Sequence, residues 1–104
     1  HEVVLFPSRQ KYCAKLLHLL KGAQSSRHRH PRKEESFACL EGTAVLMVGG
    51  KSFMLTPFTR PKTIEAGEVH SFHGVTEAVI LEVSTRDDPE EVERFSTSQA
   101  GVTY

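Results

Sequence analysis

Short apolar or alternating segments, each closed by a turn signal, recur along this 104-residue chain. Their spacing is roughly the 8–12 residues of an all-β sandwich or barrel. The pattern places strands at residues 3–6, 12–20, 25–30, 36–41, 43–48, 52–55, 62–65, 69–72 and 77–85. Gly49-Gly50, between Val48 and Lys51, gives the clearest hairpin, because glycines accept the positive φ that a tight primed turn demands. Gly22, Gly42, Gly67 and Gly74 punctuate the other turns, and Pro57 and Pro61 argue against a central strand between them. The C-terminal part reads differently. Asp88-Pro89-Glu90-Glu91 combines a capping carboxylate with proline at the first helical position, which predicts a short helix over residues 89–95 and a frayed tail over 96–104. The expectation is one all-β domain, a small β-barrel with a short C-terminal helix.

Composition narrows the function classes. Thirteen basic residues balance thirteen acidic ones, so no net field draws the chain to nucleic acid or to an anionic membrane. The purely apolar runs, such as residues 44–48 and 78–81, are far short of the roughly 20 residues that span a bilayer, and no signal-like apolar region opens the chain. Cys13 and Cys39 share no C-x-x-C spacing, which fits a reduced, cytoplasmic protein rather than a disulfide scaffold.

The six histidines are the unusual part of the composition. In a strand, side chains two apart share a face, so His28 and His30 point the same way and can grip one cation. A turn after Pro31 returns the chain on a strand headed by Glu35, with Phe37 and Cys39 on the same face as the lining of a partly apolar cavity. A fourth ligand must come from elsewhere, and His70, just after the Gly67 turn, offers itself. Three imidazoles and a carboxylate suit Mn, Zn, Fe, Co or Ni, with positions left open for water or substrate. The competing reading is a basic surface stretch over residues 27–33. Strand parity weakens it by turning Arg27 and Arg29 away from the histidines. Glu34 competes with Glu35 as ligand, and the spacing to Gly42 favours Glu35.

The pattern G-x5-H-x-H-x4-E-x6-G between Gly22 and Gly42, followed by Gly67-x-x-His70, resembles the paired motifs of the cupin superfamily. Residues 12–17, 33–35 and 82–88 resemble the small sugar-isomerase cupins, of the D-lyxose isomerase and mannose-6-phosphate isomerase type. The resemblance implies a jelly-roll β-barrel with a divalent metal held inside by His28, His30, Glu35 and His70. It also implies aldose–ketose isomerisation of a sugar or sugar phosphate through a cis-enediol, with Glu82 or Lys33 moving the proton and Lys15, Phe37 and Cys39 against the substrate. Glu82 interrupts the apolar run of residues 79–83. It is the best general-base candidate if its face looks inward and an ordinary solvated residue if outward. Lys33 and Lys15 likewise read either as site residues or as solvated lysines. Two other readings use the same ligands: an iron cupin dioxygenase and a non-enzymatic sugar-binding module. A small barrel with an edge strand at residues 3–6 is expected to pair with a second copy as a homodimer.

Overall fold

The computed structural model describes residues 2–6, 12–25, 28–29, 33–85 and 93–94. They form ten strands: β1 (Glu2–Phe6), β2 (Tyr12–Leu19), β3 (His28–Arg29), β4 (Glu35–Glu41), β5 (Ala44–Val48), β6 (Lys51–Leu55), β7 (Lys62–Ile64), β8 (His70–Gly74), β9 (Ala78–Thr85) and β10 (Glu93–Arg94). Two five-stranded sheets result, in the orders β1-β2-β9-β4-β7 and β10-β3-β8-β5-β6. All pairings are antiparallel. Each of the nine expected strand segments overlaps one observed strand. β1 lies at the edge of its sheet, as its sequence suggested.

The C-terminal helix is the correction. Glu93 and Arg94 are extended and pair with Arg29 and His28; residues 89–92, 95 and the 96–104 tail lie outside the described residues. A helix of two turns is marginal in water, and a neighbouring strand able to take the same backbone donors and acceptors overrides the capping signal.

Register fixes what faces inward. In the first sheet Lys15, Glu82, Phe37 and Lys62 form one row across β2, β9, β4 and β7, and Cys13, Ser84, Glu35 and Ile64 form the next. In the second sheet the rows are His70–Val48–Lys51, Phe72–Leu46–Phe53 and Gly74–Ala44–Leu55 across β8, β5 and β6. The strands therefore share a gradient. At one end the facing layers bury Leu17, Leu19, Ala44, Leu55, Ala78 and Ile80; at the other they bury Lys33, Glu35, His70 and Ser84. Phe37 and Phe72 join the two regions, packed edge to face with ring centroids 4.8 Å apart. Burial of each ring stabilises the sandwich by on the order of 2–3 kcal/mol, and the ring geometry adds about 1 kcal/mol.

Gly42 closes β4 with φ 76°, and the space where a side chain would begin is filled by the Glu77 carbonyl, which leads into β9. Gly22 has a similar φ of 79° but open space around it. Gly22→Ala should therefore cost only the conformational penalty, about 1–2 kcal/mol. Gly42→Ala must also displace backbone and should cost about 3 kcal/mol or more. Urea unfolding of the two variants checks this; equal losses would contradict the close approach.

Candidate functional site

The polar end of the interior is assembled from both sheets. β4 opens with Glu35 and β8 opens with His70, each only 2% exposed. Across the gap, Glu35 Oε1 lies 3.3 Å from His70 Nε2. The other imidazole nitrogen, Nδ1, is 3.1 Å from the Glu68 carbonyl. A carbonyl oxygen only accepts, so in the neutral ring Nδ1 carries the proton and Nε2 presents its lone pair toward Glu35. The turn below holds that carbonyl in place: Glu68 N donates to the Glu65 carbonyl at 3.2 Å, and Glu65 N donates to Glu68 Oε1 at 2.9 Å. Gly67, at φ 86°, provides the left-handed residue that this turn requires. Phe37 lies beside the site with its ring centroid 5.7 Å from that of His70.

A second charged pair adjoins the first. Lys33 Nζ is 3.5 Å from Glu82 Oε2, with the lysine side chain 2% exposed and the glutamate 16%. Glu82 points into the interior and hydrogen-bonds Glu35. On its other flank Glu82 is opposite Lys15 in the β2–β9 register, and Lys15 Nζ in turn lies 3.3 Å from Glu2 Oε1. Burial, more than any neighbour, pushes the Glu35 carboxyl up from 4.5 to about 9; the Glu82 charge and hydrogen bond push the same way, and Lys33 and Lys15 pull it back. Glu35 therefore holds a proton at neutral pH when no further positive charge is present.

Among the nine residues singled out in the sequence, Lys15, Lys33, Glu35, Phe37, His70 and Glu82 come together at this end of the barrel. Glu35 rather than Glu34 faces inward: Glu34 is exposed, its carbonyl accepts from the Thr85 amide at 3.1 Å and its own amide donates to Thr85 Oγ1 at 3.2 Å. Cys39 is four residues along β4 from Glu35, about 13 Å. Its Sγ donates to the Glu41 and Gly42 carbonyls at 3.1 and 3.3 Å, and burial pushes its thiol up. It belongs to the apolar end. His28 is paired in register with His70 through β3 and β8; its imidazole, and all of His30, lie outside the described residues. Among the described residues no group of three or more His, Cys, Asp or Glu is close enough to hold an ion. His73 faces away from His70, as regular alternation along β8 requires. Glu2 and Ser84 were not singled out. Ser84 follows Glu82 by two and was accessible to the same parity argument, whereas the register that brings Glu2 to Lys15 depends on how an edge strand docks.

A family model of the cupin domain matches residues 15–84, which contain every one of these groups except Glu2. The chain belongs to the cupin family. Solved structures share the architecture. KdgF from Halomonas sp. superposes with a TM-score of 0.76 at 12% identity, over 86% of this chain and 80% of that one. A Klebsiella pneumoniae protein with a double-stranded β-helix domain gives 0.76 at 16% identity, over 93% and 84%. A cupin-superfamily sugar phosphate isomerase from Silicibacter pomeroyi gives 0.68 at 23% identity, over 88% and 73%. At these identities the likeness concerns the fold. No curated protein matches the chain.

The raised titration of Glu35 gives a pH signature. Between about 4.5 and 9 the folded cupin binds a proton that the unfolded chain has released. This group's contribution to stability is therefore complete below pH 4.5 and declines as pH rises toward 9. In metal-free protein, Glu35→Gln should remove that decline, giving a flatter melting temperature between pH 5 and 8 than wild type. Parallel curves for the two proteins would contradict the assignment.

Proposed function

We propose that this cupin is a metal-dependent aldose–ketose isomerase acting on a small sugar or sugar phosphate. The observation that carries the reading is the Lys33–Glu82 pair, 3.5 Å apart with the lysine buried and the glutamate partly so, beside Glu35. A carboxylate serves as a proton shuttle when it is partly shielded from water and held by a neighbouring cation, and Glu82 meets both conditions, 16% exposed with Lys33 Nζ at 3.5 Å.

The donor chemistry at this end of the barrel fits a divalent metal. An imidazole nitrogen with its lone pair directed inward faces a carboxyl group that only added positive charge would keep ionised at neutral pH. His28, His30, Glu35 and His70 would hold the ion, a nitrogen-rich set with an oxygen donor that suits Mn, Fe, Co, Ni or Zn. Bound there, the ion would polarise the substrate carbonyl and make the neighbouring C–H more acidic.

The chain's own residues supply the rest. Glu82 takes the proton from the carbon next to the carbonyl and returns it to the former carbonyl carbon, while the hydroxyl proton on that neighbouring carbon's oxygen passes to the former carbonyl oxygen. The aldose thereby becomes the ketose through a cis-enediol, with no net change in protons or electrons. Lys33 positions the Glu82 carboxylate; Lys15, on the opposite flank, offers a donor to a substrate hydroxyl. Phe37 provides an apolar wall that limits water at the reacting carbons.

Metal-loaded protein incubated in heavy water with a panel of aldoses and aldose phosphates should form ketose carrying deuterium from solvent. Glu82→Gln should lower turnover by about 10²-fold or more while metal content stays at the wild-type level. Ketose and solvent deuterium absent from every substrate would overturn the isomerase reading, as would a Glu82→Gln protein of unchanged turnover.

A further inference from the structure

A cavity lies at the rim of the polar end, where the edge strands β6 and β7 of the two sheets approach without pairing. Its volume is about 370 Å3, and Gly49, Gly50, Lys51, Phe53, Lys62 and Thr63 line it. Cavities of about 300–1,000 Å3 are typical of small-molecule sites.

The lining is built for negative charge. Lys62 Nζ lies 4.0 Å from the centroid of the Phe53 ring, a cation–π contact that holds a rotamer-rich side chain ready before any ligand arrives. Lys51 brings a second ammonium from the hairpin. Glu68, the acidic residue at the border, has its Oε1 engaged by the Glu65 amide at 2.9 Å. Two lysine point charges with no arginine fork suit a tetrahedral dianion better than a planar carboxylate. The turn leaves the approach clear, since a Cβ at Gly49 or Gly50 would meet nothing within 4 Å.

Register sets the distance between this cavity and the interior site. Lys51, Val48 and His70 are consecutive partners across β6, β5 and β8, which puts Lys51 about 10 Å from His70 by two strand spacings. Lys62 pairs with Phe37, two residues from Glu35, a diagonal neighbour at about 7–8 Å. A short carbon chain ending in a phosphate spans such a distance.

We propose that the β6–β7 seam is an anion subsite in which Lys51 and Lys62 bind the phosphate monoester of a substrate whose carbonyl end enters the Glu35–His70 site. The assignment of the carbonyl end rests on the isomerase reading; the anion subsite itself does not. It makes the substrate a sugar phosphate rather than a free sugar.

The test is a titration of isotope-labelled, metal-chelated protein with inorganic phosphate at constant ionic strength, followed through backbone amide shifts. Saturable shifts are expected at Gly49, Gly50, Lys51, Lys62 and Thr63, with at least tenfold weaker binding in the Lys51→Gln/Lys62→Gln double variant. Lys21→Ala, at an exposed turn on another part of the barrel, should bind phosphate as wild type does. Non-saturating shifts, or shifts that persist in the double variant, would overturn the subsite. Acetate binding as tightly as phosphate would overturn the dianion assignment. Phosphate binding at the seam in a protein without isomerase activity on any substrate would refute the isomerase reading and leave the subsite standing; isomerase activity without phosphate binding at the seam would do the reverse.

Discussion

Burying a carboxyl group between two β-sheets is costly, and the polar half of this cupin is arranged around the one at Glu35. An ionised carboxylate moved into such a place loses several kcal/mol of hydration unless partners replace it. The neighbours here do so only in part. Lys33 and Lys15 favour the charged form, burial and Glu82 favour the neutral one, and the second influence prevails. A site in this condition is short of positive charge, which is the condition a divalent cation would relieve. Lys33 and Lys15 lower the cost of burying an ionised Glu35, whereas Glu82 raises it.

That cluster is possible because the two sheets divide the work. The first sheet carries Glu35, Glu82, Lys15 and Phe37 on adjoining rows, and the second presents His70 across the gap. Neither sheet alone places a carboxylate against an imidazole. The apolar end, with Phe37 and Phe72 locked edge to face, fixes the separation of the layers. Gly42 and the Gly67 turn then fix the two strand ends that matter, the first by admitting a close approach of Glu77 and the second by setting the carbonyl that orients His70. Stability and chemistry therefore occupy opposite ends of the same strands.

Much of this was legible in the residues. Period-two alternation and glycine punctuation gave nine strand positions, because each inward face is specified by the same side chains that form the core. Parity along β4 put Glu35, Phe37 and Cys39 on one face. It could not show that Cys39 lies a full strand length toward the apolar end. The direction of Glu82 was open, since both faces of β9 are apolar in sequence, and only the register with Lys15 and Phe37 resolves it inward. Lys33 gave no local sign of burial; its place depends on Glu82 arriving from a strand nearly fifty residues later. The C-terminal helix signal failed for a related reason. Capping chemistry is local, while the pairing of β10 with β3 is not.

The central claim is that one divalent ion is held at the polar end by imidazoles and the Glu35 carboxylate. X-ray absorption of the zinc-loaded protein tests it most directly. The account predicts one ion per chain, with nitrogen and oxygen ligands at about 2.0–2.2 Å, a multiple-imidazole signature, and loss of tight binding in Glu35→Gln and His70→Asn. Sulfur scattering at about 2.3 Å, or a spectrum unchanged by either substitution, would contradict it.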